Sequence, residues 1–282
     1  MTGPSPMVTQ GTRRLARAPL RQHEVRRSHP AVQAPPRVSV IIPAREEQAQ
    51  IGRVLDRIFT AVATSCEVLV VVDTADDPTT AAAAEYAEAE HRLRCLVSEY
   101  GPGPANAIRY GIDQAAGEVV VVTMADGSDD ARQIDDLTAL VERGVVVAAA
   151  SRYAPGGQHV GRASVKSLLS RLAGRSLHLL ARAGTRDATN SFKAYSTAFI
   201  REVGIDSRQG FTIGIELVAK ATRLRRPVAE LPTVWLDRTE GESGFRVAAW
   251  LPAYLRWYLF CFGRRRTAAE VRRSGTAAGG PR

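Results

Sequence analysis

Residues 119–130 read VVVVTMADGSDD, a run of four valines that leads into a cluster of carboxylates. A short, uninterrupted β-branched run is typical of a strand that is buried on both faces of a sheet. Three acids follow at the carboxyl end of that strand: Asp126, Asp129 and Asp130. Mg²⁺ and Mn²⁺ prefer hard oxygen ligands and often bridge one or two carboxylates and a substrate diphosphate. The stretch therefore predicts a divalent metal site at Asp126.

The two later acids have an alternative interpretation. Asp129 and Asp130 precede a helical pattern that runs from Ile134 to Val141. Acids near the start of a helix are favoured by its dipole and by its free N–H groups. Under this interpretation the two side chains cap the helix and Asp126 binds the metal ion alone.

The strand pattern extends over residues 38–153, where apolar runs alternate with amphipathic helical segments. Five runs have the strand character: VSVIIP (38–43), CEVLVVVD (66–73), LRCLVS (93–98), EVVVVTMAD (118–126) and GVVVAAASRY (144–153). Such alternation predicts an α/β fold with a mainly parallel central sheet and helices on both faces. Because ligands bind at the carboxyl ends of parallel strands, four segments are expected along one edge. They are 43–47, 73–77, 126–130 and 151–153.

The positive charge of the chain is concentrated at its two ends. The net charge is +9 over 282 residues, and residues 1–36 and 264–282 each carry +5, which leaves about −1 for the body. We interpret residues 1–36 and 264–282 as disordered basic arms, because neither has a hydrophobic periodicity. Such arms suit an anionic partner, either lipid or nucleic acid, or they serve solubility alone.

Several functional classes find no support in the sequence. There is no phosphate-binding loop, no nucleophile elbow and no histidine pair with metal-ligand spacing, and Gly101-x-Gly103 lacks the last glycine of a dinucleotide fingerprint. The three cysteines form no disulfide framework, and no signal peptide or spanning segment is evident. We therefore expect a protein of the cytoplasm.

The last apolar segment, residues 247–263, has the composition of a membrane-interface helix. It is too short to span a bilayer and is interrupted by Pro252 and Arg256. Four aromatic residues suit headgroup depth: Trp250, Tyr254, Trp257 and Tyr258. One alternative is a core helix packed on the sheet, and another is a docking element for a membrane-anchored partner subunit.

The motifs, taken in order, resemble a known family. VSVIIPAREE, VLVVVDTADDPT, GPGPANAIRYGI, GEVVVVTMADGSDD and AAASRY resemble the nucleotide-sugar half of family 2 glycosyltransferases, which have the GT-A fold. DATNSFKAY and LPTVWLDRTEGES resemble polyprenyl-phosphate glycosyltransferases of the dolichol-phosphate mannosyltransferase type. The resemblance covers about residues 38–246, and we expect the catalytic domain at 37–246.

The resemblance implies an inverting transfer of a sugar from a nucleotide-diphosphate sugar to a polyprenyl phosphate. It implies Mg²⁺ or Mn²⁺ as cofactor and a peripheral position on the cytoplasmic face of an anionic membrane, with no nucleic-acid partner. The implied donor-binding residues are Pro43, Ala44, Glu47, Asp73, Ala125 and Asp126, and the implied metal ligands are Asp126 and Ser128. The implied acceptor-phosphate residues are Arg152, Lys193, Arg238 and Ser243, of which Arg152 and Arg238 are also implied in catalysis with Asp126.

Two positions depart from the family pattern. Met124 replaces the first acid of the D-x-D metal motif, and Gly244 replaces the basic residue that commonly follows G-x-S. Either Asp126 holds the ion alone or the chain is an inactive homologue, and Arg246 or Lys193 could supply the missing positive charge. Alternatives remain at the functional level too: a transferase with a soluble or glycan acceptor, or a non-catalytic nucleotide-sugar-binding protein. The arginines and Lys193 also admit ordinary surface salt bridges.

Overall fold

A computed structural model of the chain describes residues 1, 3, 34–161, 165–236 and 247–276. The strands are β1 Val38–Ala44, β2 Cys66–Val72, β3 Leu93–Val97, β4 Val119–Val122, β5 Val147–Ser151, β6 Gln158–Val160, β7 Lys193–Ser196, β8 Val228–Pro232 and β9 Val234–Leu236. The helices are α1 Ile51–Ala61, α2 Pro78–Ala89, α3 Pro104–Gln114, α4 Gln133–Glu142, α5 Val165–Ser176, α6 Thr197–Val203, α7 Ile213–Leu224, α8 Val247–Phe260 and α9 Ala268–Thr276. A π-helical turn, Leu177–Ala181, continues α5.

The central sheet has seven strands in the order β3-β2-β1-β4-β7-β5-β8. Strand β1 pairs in parallel with β2 and β4, β2 pairs in parallel with β3, and β5 pairs in parallel with β8. Strand β7 is antiparallel to both of its neighbours, β4 and β5. The prediction of a mainly parallel sheet is confirmed. β7 separates β4 from β5 in the sheet.

Helices cover both faces of this sheet, as predicted. Alternate residues of β1 point to opposite sides: Val40 and Ile42 pack with α1, α2 and α4, and Ile41 packs with α3, α6 and α7. This alternation is the two-residue period of a strand. Because β1, β2, β4 and β5 run in the same direction, their carboxyl ends lie at one edge of the sheet. The predicted site residues of these strands are found at this edge.

The C-terminal segment is more ordered than the sequence indicated. The expectation of a disordered arm over 264–282 was wrong for residues 268–276, which form α9. A reciprocal capping box starts this helix, because Thr267 N–H and Oγ1 donate to Glu270 at 2.7 and 3.1 Å, and Glu270 N–H donates back to Thr267 Oγ1 at 3.3 Å. Val271 anchors α9 in the core. Among the described helices, none is long and apolar enough to cross a bilayer.

Helix α8 packs on the core through the aromatic residues that were expected at headgroup depth: Trp257 is buried and Trp250, Tyr254 and Tyr258 are partly buried. The membrane-interface interpretation of residues 247–263 stays a prediction. Trp257 is buried against the core, and its Nε1 donates to Ser207 Oγ at 2.9 Å. Leu251, Leu255 and Leu259, which recur every fourth residue, are at least half exposed on the opposite side. Residues 2, 4–33 and 277–282 of the predicted arms lie outside the described residues, as do Arg238, Ser243 and Arg246.

Candidate active site

The loop after β1 is fixed to the start of α2 by one carboxylate. Asp77 accepts hydrogen bonds from the backbone N–H of Glu46 and, as the N-cap of α2, from that of Thr79 at 2.8 Å. Glu46 has a positive φ of 56°, and the N–H of Glu47 donates to Thr79 Oγ1 at 2.9 Å. The sequence did not assign Asp77 a role, although the pattern Asp-Pro-Thr is a helix-start signal.

The predicted donor-binding residues lie together at the ends of β1 and β2. Pro43 and Ala44 are buried in β1 opposite Val71 and Val72 of β2, and Asp73 follows directly. Asp73 Oδ1 accepts the N–H of Gly103 at 2.9 Å, and Gly103 has a φ of 109° that favours glycine. Asp73 thus holds the turn that starts α3. Its implied role in donor binding stays a prediction.

The predicted metal site lies in the loop that follows β4. Asp126 Oδ1 accepts the N–H of Ser128 at 3.0 Å, and Ala125 is buried beneath the loop. Gly127, at φ 70°, turns the chain between them, and a side chain there would be strained by the backbone conformation. The loop therefore presents its polar atoms through a short, tightly turned backbone.

Asp129 turns back toward β4, away from the helix that it was expected to cap. Its Oδ2 accepts Thr123 Oγ1 at 2.9 Å and the backbone N–H of Met124 at 3.1 Å. The capping interpretation is therefore wrong for Asp129. Asp130 Oδ1, by contrast, accepts the backbone N–H of Arg132 at 3.1 Å in the turn that leads into α4, as a capping residue does, and its carboxylate also pairs with the Arg132 guanidinium at 2.7 Å.

Asp129 and Asp126 are electrostatic neighbours. Burial, and then the negative charge of Asp126, raise the pKa of Asp129 to about 7. A cation between the two carboxylates would relieve this repulsion. The sequence analysis did not predict that Asp129 is a partner of Asp126. Asp129 could have been considered for this role because it lies just after the motif in which Met124 replaces an acid.

The oxygen atoms of this loop fit a divalent cation. Ser128 Oγ is buried and has no hydrogen-bond partner among the described residues. The Ser128 hydroxyl and the carboxylates of Asp126 and Asp129 would supply three side chains with oxygen ligands, the donor type that Mg²⁺ and Mn²⁺ take. No group of three or more histidine, cysteine or acidic side chains within the described ranges could hold a metal. The remaining positions of an octahedral ion would fall to substrate oxygens and water.

Arg152, at the end of β5, is held by a buried carboxylate. Its Nε and Nη2 donate to the two oxygens of Asp187 at 2.7 and 2.9 Å, and its backbone N–H donates to the same group at 3.0 Å. Burial alone would lower the pKa of Arg152, but Asp187 raises it above the ordinary value. This bidentate pair fixes the guanidinium plane beside the rings of Tyr153 and Trp235. No local pattern predicts that Arg152 pairs with a residue 35 positions away.

Lys193, at the start of β7, is fully buried beneath this pair. Its ammonium donates to the carbonyl of Asn190. Burial lowers the pKa of Lys193 to about 7, opposed by the charge of Asp187. A direct contact between Lys193 and an acceptor phosphate stays a prediction, and it requires an opening from the buried position seen here.

The buried lysine makes a testable contribution to the pH dependence of stability. Between about pH 10 and pH 7 the unfolded chain binds a proton at Lys193 that the folded protein does not bind. The free energy of unfolding therefore decreases as the pH falls through this range. The decrease is complete below about pH 7. The quantity of interest is the unfolding free energy of Lys193→Met minus that of wild type. We expect this difference to be roughly 2–4 kcal/mol larger at pH 7 than at pH 10. Urea unfolding at both pH values measures this difference. Parallel pH dependences of the two proteins would contradict it.

Comparison with known proteins agrees with the fold. The profile of "Glycosyl transferase family 2" matches residues 39–204. A "Polyprenol monophosphomannose synthase" of Mycolicibacterium smegmatis is 29% identical over 231 residues, covering 76% of this chain and 86% of the relative. An "Undecaprenyl-phosphate mannosyltransferase" of Micrococcus luteus is 27% identical over 213 residues, covering 73% and 86%.

Solved structures with a similar fold include glucosyl-3-phosphoglycerate synthase of Mycobacterium tuberculosis. Its complex with Mn²⁺, uridine diphosphate and glucosyl-3-phosphoglycerate has a TM-score of 0.62 and 17% sequence identity, covering 82% of each chain. At this level of identity the likeness concerns the fold alone.

Proposed function

This chain belongs to glycosyl transferase family 2 and has the GT-A fold, and from that premise we propose that it transfers a sugar from a nucleotide-diphosphate sugar to a polyprenyl phosphate at a membrane surface. The observation that carries the choice of a lipid acceptor is a surface of exposed leucines on α5 and α8. The two mannosyltransferase relatives, whose names specify polyprenol and undecaprenyl phosphate, support the same acceptor class.

The leucine surface is formed by two helices that contact each other. Its members are Leu168, Leu169, Leu172, Leu179 and Leu180 of the α5 segment and Leu251, Leu255 and Leu259 of α8, each between 50% and 73% exposed. Ser176 Oγ of α5 and the Tyr258 hydroxyl of α8 are 2.8 Å apart, so the two helices are neighbours. Soluble monomers rarely expose so many large apolar side chains on adjoining elements.

The charges around the leucine surface match an anionic membrane. Arg171, Arg175 and Arg182 are exposed on or directly after the α5 segment. An amphipathic helix with leucines on one side and arginines beside them binds at the headgroup region, where each arginine adds about 1 kcal/mol at an anionic leaflet. We infer that α5 and α8 hold the protein on the membrane from which a polyprenyl phosphate is taken.

The proposed chemistry requires two anions to approach each other. A phosphate monoester loses its second proton near pH ~6, so the acceptor is a nucleophile at neutral pH without a general base. Direct attack on the anomeric carbon inverts its configuration and releases the nucleoside diphosphate. A divalent cation held by Asp126, Asp129 and Ser128 would neutralise charge on that leaving group. Arg152 would offer the N–H groups that are not directed at Asp187 to the acceptor phosphate.

A test of the membrane contact changes two leucines of the leucine surface. We expect Leu172→Ser combined with Leu255→Ser to weaken sedimentation with vesicles of phosphatidylcholine and phosphatidylglycerol by about tenfold or more, because burial of the exposed half of each leucine contributes about 1 kcal/mol. Val97→Ser, at an exposed residue of β3, is the matched control. Equal vesicle binding by both variants would remove the leucine surface from the proposal. Binding only in the presence of other membrane proteins would indicate a partner subunit.

The transfer itself is tested with purified protein, Mg²⁺ or Mn²⁺, a panel of nucleotide sugars and a short polyprenyl phosphate. The expected product is a polyprenyl-phosphate sugar of inverted anomeric configuration. Transfer to water-soluble acceptors alone would contradict the lipid acceptor while leaving the family assignment in place.

A further inference from the structure

Helix α5 has an inner face of small and polar residues, on the side away from the leucine surface. Its members recur every three or four residues and are buried or half-buried: Ser167, Ser170 and Gly174. This face packs against residues 185–190, which include Asp187, the counterion of Arg152. We call residues 185–190 the counterion loop.

Gly174 sets the distance between α5 and the counterion loop. A Cβ atom at Gly174 would overlap the carbonyl oxygen of Arg186 and lie 2.8 Å from its carbonyl carbon, so only glycine allows this approach of the two backbones. Glu230 of β8 anchors the loop to the sheet, because it accepts the backbone N–H of Arg186 at 2.7 Å and the Thr185 hydroxyl at 3.2 Å. A larger side chain at position 174 would therefore displace α5.

A pair of hydroxyl groups joins α5 to the counterion loop. Ser170 Oγ and Thr189 Oγ1 are 2.6 Å apart, and Thr189 lies two residues after Asp187. Ser170 Oγ also accepts a hydrogen bond from Nη2 of Arg152 at 3.5 Å. Ser170 thus contacts both the guanidinium and the loop that supplies its counterion.

The contacts of Arg152 leave one end of its guanidinium for a substrate. Nε and Nη2 donate to Asp187 at 2.7 and 2.9 Å, and Nη2 also donates to Ser170. The guanidinium carbon lies 5.1 Å from the centroid of the Tyr153 ring and 5.7 Å from that of Trp235. None of these contacts uses the two N–H groups of Nη1. A guanidinium held in this way would present Nη1 to the acceptor phosphate.

We propose that Gly174 and Thr189 are positioning residues for the transfer reaction. They dock α5 against the loop that carries Asp187. Through Ser170, this docking holds the Nη1 end of Arg152 toward the acceptor phosphate. The inference rests on the proposed function, since it names the residues that orient the arginine of that same site.

The same helix connects the arginine to the leucine surface. Three leucines on the outer face of α5 are each more than half exposed: Leu168, Leu169 and Leu172. An α-helix with its side chains is about 10 Å across, so Arg152 lies roughly one helix diameter from the proposed membrane contact. A polyprenyl phosphate whose phosphate group stays in the headgroup region would then reach Arg152 without leaving the bilayer.

The first test removes the hydroxyl pair with Thr189→Val, a substitution of nearly equal size. We expect turnover with a polyprenyl phosphate to fall about five- to tenfold, because a hydrogen bond that orients Arg152 through Ser170 is lost. The KM for the donor and the affinity for Mn²⁺ should stay unchanged. Thr189→Ser keeps a hydroxyl and is expected to restore most of the turnover. Equal losses in the two variants, or wild-type turnover in Thr189→Val, would contradict the role of Thr189.

The second test displaces α5 with Gly174→Ala. We expect turnover to fall by roughly 100-fold, since a shift of about 1 Å in the position of a catalytic group has an effect of this size. The matched control is Gly52→Ala in α1, where a Cβ atom has no neighbour within 4 Å, and it should keep wild-type turnover. Circular dichroism establishes that both variants are folded. Vesicle sedimentation shows that a loss of turnover does not come from a loss of membrane contact.

Hydrogen exchange provides a readout that does not depend on activity. The backbone N–H groups of Arg152 and Asn190 both donate to Asp187, at 3.0 and 3.2 Å. We expect both to exchange at least about tenfold faster in Gly174→Ala than in wild type, with no change in Gly52→Ala.

The outcomes separate this inference from the proposed function. Transfer by wild type, with turnover and exchange unchanged in Thr189→Val and Gly174→Ala, would overturn the inference and leave the proposed function in place. Absence of transfer by wild type to any polyprenyl phosphate would overturn the proposed function. Faster exchange in Gly174→Ala would in that case support only the docking of α5 on the counterion loop.

Discussion

Asp126→Asn is expected to lower turnover by roughly 100-fold or more while leaving the protein folded. The asparagine carbonyl can still accept the N–H of Ser128, so the loop after β4 keeps its turn. The variant lacks the negative charge that would hold a divalent cation against the leaving diphosphate. Titration with Mn²⁺, followed by calorimetry or by the electron paramagnetic resonance of free Mn²⁺, provides a readout that does not depend on activity.

The matched control for Asp126 is Asp136→Asn, at an exposed acid of α4. We expect wild-type Mn²⁺ affinity and turnover in the control. Asp129→Asn is expected to weaken Mn²⁺ binding as well, since its carboxylate lies beside Met124, where the family pattern has an acid. Undiminished Mn²⁺ binding and activity in Asp126→Asn would mean that the ion is held elsewhere.

Met124→Asp distinguishes an active enzyme from a non-catalytic homologue. In an enzyme that uses Asp126 and Asp129, a third carboxylate tightens Mn²⁺ binding and changes turnover only moderately. If activity arose only in Met124→Asp and wild type had none, the non-catalytic interpretation would hold.

The site edge was predictable because it depends on topology. Each buried strand was visible as a continuous apolar run, and parallel pairing then brings the carboxyl ends of β1, β2 and β4 together without any detail of packing. The position of β7 was not predictable in this way. Its four residues, KAYS, pair with strands whose sequences lie more than 40 residues away, and nothing local specifies that pairing.

The side-chain partners at the site were less predictable than its position. A helix start at Thr267-x-x-Glu270 was present in the sequence, but the lack of hydrophobic periodicity over 264–282 favoured a disordered interpretation. Asp129 looked like a helix-capping residue because its neighbours along the chain resemble a helix start. Its actual partners, Thr123 and Met124, lie before it in the chain, directly after β4. Only the path of the loop backbone determines whether Asp129 turns toward these residues or toward α4.

The largest effect on stability is expected from Asp187→Asn. Asp187 is fully buried and accepts four hydrogen bonds, three from Arg152 and one from the N–H of Asn190. Loss of its charge leaves a nearly buried guanidinium without its counterion. Removal of one partner of such a pair costs about 3–5 kcal/mol of unfolding free energy. Urea unfolding measures the change.

Glu202→Gln is the matched control for Asp187→Asn, because it removes one acid from the exposed pair between Glu202 and Arg226. That change is expected to cost at most about 1 kcal/mol. Asp187→Asn should also lower turnover more than it raises the KM for the donor, since Arg152, which we propose binds the acceptor phosphate, loses the carboxylate that orients it. A stability loss as small as that of Glu202→Gln would mean that Arg152 finds another counterion, and the fixed guanidinium could not then be the basis for acceptor binding.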